Sequence, residues 1–512
     1  MDHRTRNTLR VGAVAASAAV CATLAIAGPA QAAVVTDTSA LRNAVTLEGV
    51  KGHLSALQAI ATANGGNRQA GSPGHEASVD YVEAQLEAAG YTTTRQEFSY
   101  ERTDFTGTSM SQVSPNPAGY TLGVHYFPMD YTGGGNLVNV PVTAVDVNLG
   151  GDRSSTSGCE ASDFGGFPAG NIALIQRGSC DFAVKAQNAL NVGASGVIIF
   201  NQGNDVPGDD RLGLFGGTLG SIISPTLPVV SAPFDLGAEW VNTPNLRLSL
   251  SVQITIVPVT TENIWADTSG RADRTVVVGG HLDSVGEGPG VNDNGSGSAA
   301  ILETAIQMAK LKIKPENRVR FAFWSGEEDG LVGSSYYVSQ LSKQELKGTA
   351  LNLNFDMIGS PNSVNFVYDG DGDALGVSGP NGSGTIEGIF TSFFASQGKQ
   401  TEPTDFDGRS DYFGFIEAGI PAGGLFTGAE GLKTAQQAAK FGGTAGMAYD
   451  PCYHALCDSM SNINGPTLDL MSDAVAHATL VFAETTSAVN GTGKGKAVGQ
   501  FKPQFKGHQA IN

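Results

Sequence analysis

The chain has 512 residues, a formal net charge of −19 and 68 glycines. Its length allows two or three domains and a large core. The acidic balance argues against a nucleic acid or an anionic membrane as partner, because each is met by a basic face.

Taken in chain order, Arg4, Arg6 and Arg10 precede an apolar stretch from Val11 to Ala27, and Gly28-Pro29-Ala30-Gln31-Ala32-Ala33 follows. A charged start, a short apolar segment and an Ala-x-Ala site predict a secretory signal peptide over residues 1–32. The stretch is short for a spanning helix, and no other run of that kind occurs, so a retained anchor is the weaker reading. An extracellular, secreted protein is expected. Residues 33–43 read as a short pro-segment or a frayed start.

Cys21 leaves with the signal, so Cys159, Cys180, Cys452 and Cys457 remain. An even count in an exported chain predicts two disulfides. The simplest pairing joins Cys159 to Cys180 and Cys452 to Cys457, the first worth about 3 kcal/mol by loop entropy. A cysteine-ligated metal is the rival, but the spacings fit no zinc knuckle.

Val50, Leu54, Leu57 and Ile60 recur at helical spacing until Gly65-Gly66, and Val79, Val82 and Leu86 predict a second helix ending at Gly90. A strand follows over 92–100. From Thr106 to Val259 the chain changes to short β-like runs, many turns and one helix near 182–191, which predicts a β-rich domain over 106–259 inserted into the first. Strands and helices alternate again over 260–486, and the Gly-Lys-rich stretch 487–512 predicts a flexible tail.

Three strand-like runs in that second half end in metal-ligating residue types. Thr275-Val276-Val277-Val278-Gly279-Gly280 runs into His281 and Asp283, followed by an acid-bearing glycine turn at Asn292-Asp293-Asn294-Gly295. Arg318–Trp324 runs into Glu327-Glu328, and Leu351–Phe355 into Asp356. Ligands gather beyond the carboxyl ends of strands in an open parallel sheet. With His454, the donors His281, Asp293, Glu328 and Asp356 form a nitrogen and oxygen set that suits zinc. Singly, each has an ordinary explanation as a turn, a cap or a solvated acid. Together they predict a site for two metal ions bridged by one carboxylate.

At this point the chain resembles secreted zinc aminopeptidases of the M28 family, of the Streptomyces aminopeptidase type. The match rests on Gly280–Ser284, Asn292–Gly297, Gly326-Glu327-Glu328, Asn354–Met357, Gly408–Tyr412 and Asp450–His454. The segments Asn171–Gly178 and Gly193–Val197 resemble a protease-associated (PA) domain. The resemblance implies an α/β fold: a mixed, mostly parallel central sheet flanked by helices, as in zinc exopeptidases. Residues 44–105 and 260–486 would form the catalytic domain, with the PA domain inserted over 106–259. It further implies a metallo-aminopeptidase that releases large apolar, leucine-like residues from the free N-terminus of peptides, acts as a monomer and carries two zinc ions.

Carried over by position, the resemblance makes Asp293 the bridging carboxylate. His281 and Asp356 would complete one zinc site, Glu328 and His454 the other, and Glu327 would be the general base. Asp283 would orient His281 or simply close a strand-end turn. Tyr453 would donate to the developing oxyanion or serve packing. Arg409 would lie at the substrate end or pair with Asp411. The family's calcium acids fall on Asp469 and Asp473, but the N-terminal acid of that pattern is missing, with Ala44 in its place, so two solvated helix acids are the alternative. Rival functions are a carboxypeptidase or dipeptidase on the same scaffold, an aminoacyl cyclase with one zinc, and a non-catalytic binding module.

Overall fold

The structure, a computed structural model, describes residues 36–204 and 211–490. The expected signal peptide and residues 491–512 of the expected tail lie outside the described residues. Ser39–Ala44, which overlaps the stretch read as a pro-segment or frayed start, is helical and buries Leu41. At the other end, Ser487–Asn490 is helical with Val489 buried.

The two predicted early helices are present. Leu47–Ala63 starts at Thr46, whose side chain accepts the Gly49 N–H, and it buries Val50, Leu54, Leu57 and Ala61. Pro73–Ala88 starts at Ser72, which accepts the His75 N–H, with proline in the first turn where no helical N–H is needed.

Two long strands, Thr93–Ser114 and Arg247–Asp267, then pair antiparallel from Thr93 opposite Ala266 to Ser114 opposite Arg247. The strand expected to stop near Tyr100 therefore continues through Glu101-Arg102-Thr103-Asp104. That polar stretch has no apolar alternation, but its backbone groups are satisfied by the neighbouring strand. The free edge of the second strand is shared: residues 264–267 pair with Asn317–Trp324, and residues 247–252 pair with Gly135–Val145. One ribbon thus carries both the insert and the main sheet.

The insert holds strands Gly135–Val145, Ile172–Gln176, Gly196–Phe200 and Val229–Ala232, each parallel to the next. Alternate residues serve two cores. Ala173, Ile175, Val197 and Ile199 pack with the predicted helix Phe182–Asn191. Ile172, Leu174, Ile198 and Phe200 pack with a second helix, Phe234–Val241, which the sequence reading did not anticipate.

In the main sheet, Arg271–His281 lies between Asn317–Trp324 and Thr349–Phe355, parallel to both, and Ala422–Phe426 is parallel to the last. Phe366–Tyr368 runs antiparallel beyond it. The sheet is mixed and mostly parallel, as expected. Its central run separates by parity. Val276 and Val278 face the core shared with Leu47–Ala63, Gly295–Lys310 and Gly465–Glu484. Val277 faces Trp324, Tyr337 and Phe415. Burial on both faces explains why the strand reads as an unbroken apolar run.

Candidate active site

Parallel strands with a common direction deliver their ends to one edge. Trp324 is in register with His281, and Asn354 with Gly279, so His281, the Glu327 turn and Asp356 emerge side by side. The helix Gly295–Lys310 brings the Asp293 loop to the same place. Its cap, Asn294, accepts the Gly297 N–H and donates to the Phe355 carbonyl at 2.8 Å. A Cβ on Gly297 would lie 2.2 Å from that carbonyl oxygen, so only glycine allows the approach.

The five sequence-predicted metal residues converge. His281 Nε2 lies 3.4 Å from Asp293 Oδ1 and 3.4 Å from Asp356 Oδ1. His454 Nε2 lies 3.3 Å from Asp293 Oδ2 and 2.9 Å from Glu328 Oε2. One carboxylate therefore faces two imidazoles with its two oxygens. Glu327 Oε2 stands further off, 3.9 Å from His281 Nε2. Ligand atoms of His281, Glu327 and Asp356, and of His281, Asp293 and Glu328, form two groups spaced closely enough to hold a cation. Spacing alone does not separate base from ligand.

A resident cation fits this chemistry. His281 Nδ1 faces the Asp283 carbonyl at 3.2 Å, which can only accept, so Nδ1 donates to it and Nε2 is the nitrogen turned toward the acids. His281 Nε2, Glu328 Oε1 and Asp356 Oδ1 are buried with no hydrogen-bond partner. Buried carboxylates left without a counter-charge each cost several kcal/mol. Burial, with Asp356 and Glu328 beside it, drives the Glu327 carboxyl well above its usual range, although His281 opposes this. The two imidazoles hold Asp293 below its usual range in spite of burial.

Asp283 contacts both the histidine and the glutamate turn. Its Oδ1 is 3.7 Å from His281 Nδ1, and its carboxylate accepts the backbone N–H groups of Glu327 and Glu328 at 3.4 Å each. It ties the histidine strand to the glutamate turn. Tyr453 stacks on His454 with ring centroids 3.8 Å apart, on a loop braced by the Cys452–Cys457 disulfide. The Cys159–Cys180 bridge is also formed. Arg409 donates to Glu430 at 2.7 Å and to the Tyr453 hydroxyl oxygen at 3.3 Å. Its carboxylate partner is therefore Glu430, not the Asp411 considered from sequence. Asp411 is buried, which together with Asp356 and Asp283 raises its carboxyl to about 7. Asp473 lies 3.8 Å from the Arg42 guanidinium. Among the described residues, neither Asp469 nor Asp473 belongs to a group of three ligand-spaced residues.

Sequence reasoning missed a supporting layer. Ser410 donates to Asp356 Oδ2 at 2.6 Å and accepts from Asn354. Asp458 accepts the backbone N–H groups of Asn292 and Asp293 at 2.9 and 3.0 Å. Asp450 accepts from the Asn292 side chain at 2.6 Å. The Gly408–Tyr412 and Asp450–His454 motifs contained Ser410 and Asp450, but nothing in them marked which side chains would turn inward.

Arg68 gave no signal at all. Fully buried, it donates to the Pro289 carbonyl at 3.0 Å, the Gly290 carbonyl at 2.7 Å and the Leu282 carbonyl. Burial lowers its pKa to about 10, with Asp283, Asp458 and Asp293 acting against that. Arg68→Ala leaves three carbonyls and nearby acids uncompensated, and is expected to destabilise the fold by about 3–5 kcal/mol. Denaturant unfolding checks this, and a change well under 1 kcal/mol would contradict the assigned role.

The sequence pattern of Peptidase family M28 matches residues 263–479, and that of the PA domain matches residues 135–240. An aminopeptidase of Pseudomonas aeruginosa (strain UCBPP-PA14) is 50% identical over 439 residues, covering 85% of this chain and 81% of the relative. Leucine aminopeptidase 2 of Trichophyton tonsurans is 37% identical over 450 residues, covering 87% and 86%. In fold, the chain is similar to the aminopeptidase from Aneurinibacillus sp. strain AM-1, with a TM-score of 0.67 at 24% identity, over 91% of this chain and 99% of the other. The chain belongs to peptidase family M28, with a PA domain inserted ahead of the strands that carry the site.

Proposed function

We propose that the protein is a secreted aminopeptidase with two zinc ions, which hydrolyses large apolar, leucine-like residues from the free N-terminus of peptides. One observation carries the reading: the Asp293 carboxylate lies between His281 and His454, with Asp356 Oδ1 3.4 Å from His281 Nε2 and Glu328 Oε2 2.9 Å from His454 Nε2. His281 and Asp356 would hold one zinc, Glu328 and His454 would hold the other, and Asp293 would serve both. Zinc held there would supply Lewis acidity, acidifying water and polarising the scissile carbonyl.

The chain's own groups perform the proton transfers. Glu327, whose Oε2 stands 3.9 Å from His281 Nε2, accepts the proton of water and returns it to the leaving amine. Asp283 holds the Glu327 and Glu328 amides, so the base sits on a fixed turn. Tyr453 receives a hydrogen bond at its oxygen from Arg409, which leaves its O–H free to donate to the oxyanion. Glu430 fixes the Arg409 guanidinium. Secretion is supported by the two disulfides. No helix among the described residues is long and apolar enough to cross a membrane. The leucine preference draws on the fungal relative's name.

The test joins metal analysis to a substrate comparison. Two zinc ions per chain are expected, with release from leucine anilide abolished by chelation and restored by added zinc. Peptides with a blocked amine should resist, and peptides with a blocked carboxyl should not. Release from amine-blocked peptides would overturn the aminopeptidase reading, and a stoichiometry of one would overturn the paired site.

A further inference from the structure

Asp329 follows Glu327 and Glu328 directly, and the chemistry above assigns it nothing. Three groups nevertheless grip it. The Tyr100 hydroxyl donates to its carboxylate, Arg102 Nη1 lies 3.6 Å from the same carboxylate oxygen, and the Tyr131 hydroxyl donates to its backbone carbonyl. Tyr100 and Arg102 come from the long ribbon strand, but Tyr131 has a different origin. Its ring packs on the insert's core, and its neighbours Met129, Asp130 and Thr132 are tied into the insert through Val229, Gly217 and Leu219.

The local geometry is specific. Tyr131 holds φ 61°, in the left-handed region that a bulky residue adopts only when its surroundings impose it. Its hydroxyl reaches a turn that is closed on itself, because the Glu327 carbonyl accepts the N–H groups of Gly330 and Leu331 at 2.8 Å. A Cβ on Gly330 would lie 3.2 Å from the Tyr131 hydroxyl, so the two segments meet without spare room. The glutamate turn is thus held on one side by Asp283 and on the other by the insert.

We propose that Tyr131 is a positioning residue, through which the inserted domain fixes the Glu327-Glu328 turn for catalysis. This rests on Glu327 acting as the proton acceptor. The insert is then a structural part of the active site, not an appended module. The hydroxyl of Tyr131 acts on turnover through the backbone of Asp329 and touches no substrate.

Tyr131→Phe removes only the hydroxyl and is made in the full chain. Its expected effect is a loss of about tenfold in kcat, the scale seen when partners of metal ligands are removed. KM and zinc content should stay at parent values and the thermal midpoint should fall by no more than a few degrees, while hydrogen exchange at the Gly330 and Leu331 amides accelerates. In a Glu327→Gln background the same change should cost almost nothing further. Parent-like kcat and exchange in Tyr131→Phe would overturn the proposal, as would equal fold-losses in the two backgrounds. Full activity of Glu327→Gln alone would instead overturn the proton-acceptor role, and the exchange rates would then decide whether Tyr131 fixes the turn.

Discussion

Glu327→Gln is expected to lower kcat by about 10²–10⁴-fold, the range for a positioned general acid–base group, while zinc content stays at the parent value. Glutamine matches the shape of glutamate but can neither take a proton nor return one. Retention of metal is expected because Glu327 is not among the five donors proposed for zinc, and its Oε2 stands 3.9 Å from His281 Nε2, against 3.4 Å for both Asp293 and Asp356. The measurement is steady-state turnover of leucine anilide alongside metal analysis. Near-parent kcat would remove Glu327 from the proton-transfer role. Loss of one zinc would make it a ligand, which its membership of a ligand-spaced group with His281 and Asp356 permits.

Asp293→Ala should have the largest effect on metal. Structural zinc sites hold their ion with about 10–16 kcal/mol, so one of four ligands carries roughly 3 kcal/mol, about a hundredfold in affinity. Asp293 turns one oxygen to each imidazole, so its removal weakens both sites together, and activity should fall with both ions. His454→Ala, by contrast, should weaken one ion and leave the other. Titration of the chelated proteins with zinc separates the two patterns. Two ions bound to Asp293→Ala with parent affinity would dismiss the bridging role.

The two substitutions probe different links of one argument. Asp293 tests whether the strands bring five donors together, and Glu327 tests what the gathered site does with a proton. Asp458 and Asp450 hold the Asp293 loop against the loop that presents His454. A loss of metal in Asp293→Ala therefore also reports on whether that junction is as rigid as its hydrogen bonds indicate.

His281, Glu327, Glu328 and Asp356 were legible because each follows a run whose burial on both faces gives a plain apolar signature, ending where ligands gather. The early helices were legible from their spacing and their caps. The insert was visible as a change in texture, but its limits were not. The ribbon of 93–114 and 247–267 crosses both predicted boundaries, because a polar strand satisfied by its neighbour carries no hydrophobic period.

By itself, then, the sequence determined the family, the early helices, the strand ends that carry the candidate donors, and the cysteine pairs, all of which rest on local pattern or on motif. Only the tertiary structure decided which side chains support that set. Arg68 reaches carbonyls more than two hundred positions away, Asp458 reaches amides at 292 and 293, Arg409 chooses Glu430 over Asp411, and Tyr131 meets Asp329 across the insert. Such contacts join a side chain to a distant backbone or to a partner brought close by folding. They depend on where strands end in space, and no spacing along the chain encodes that.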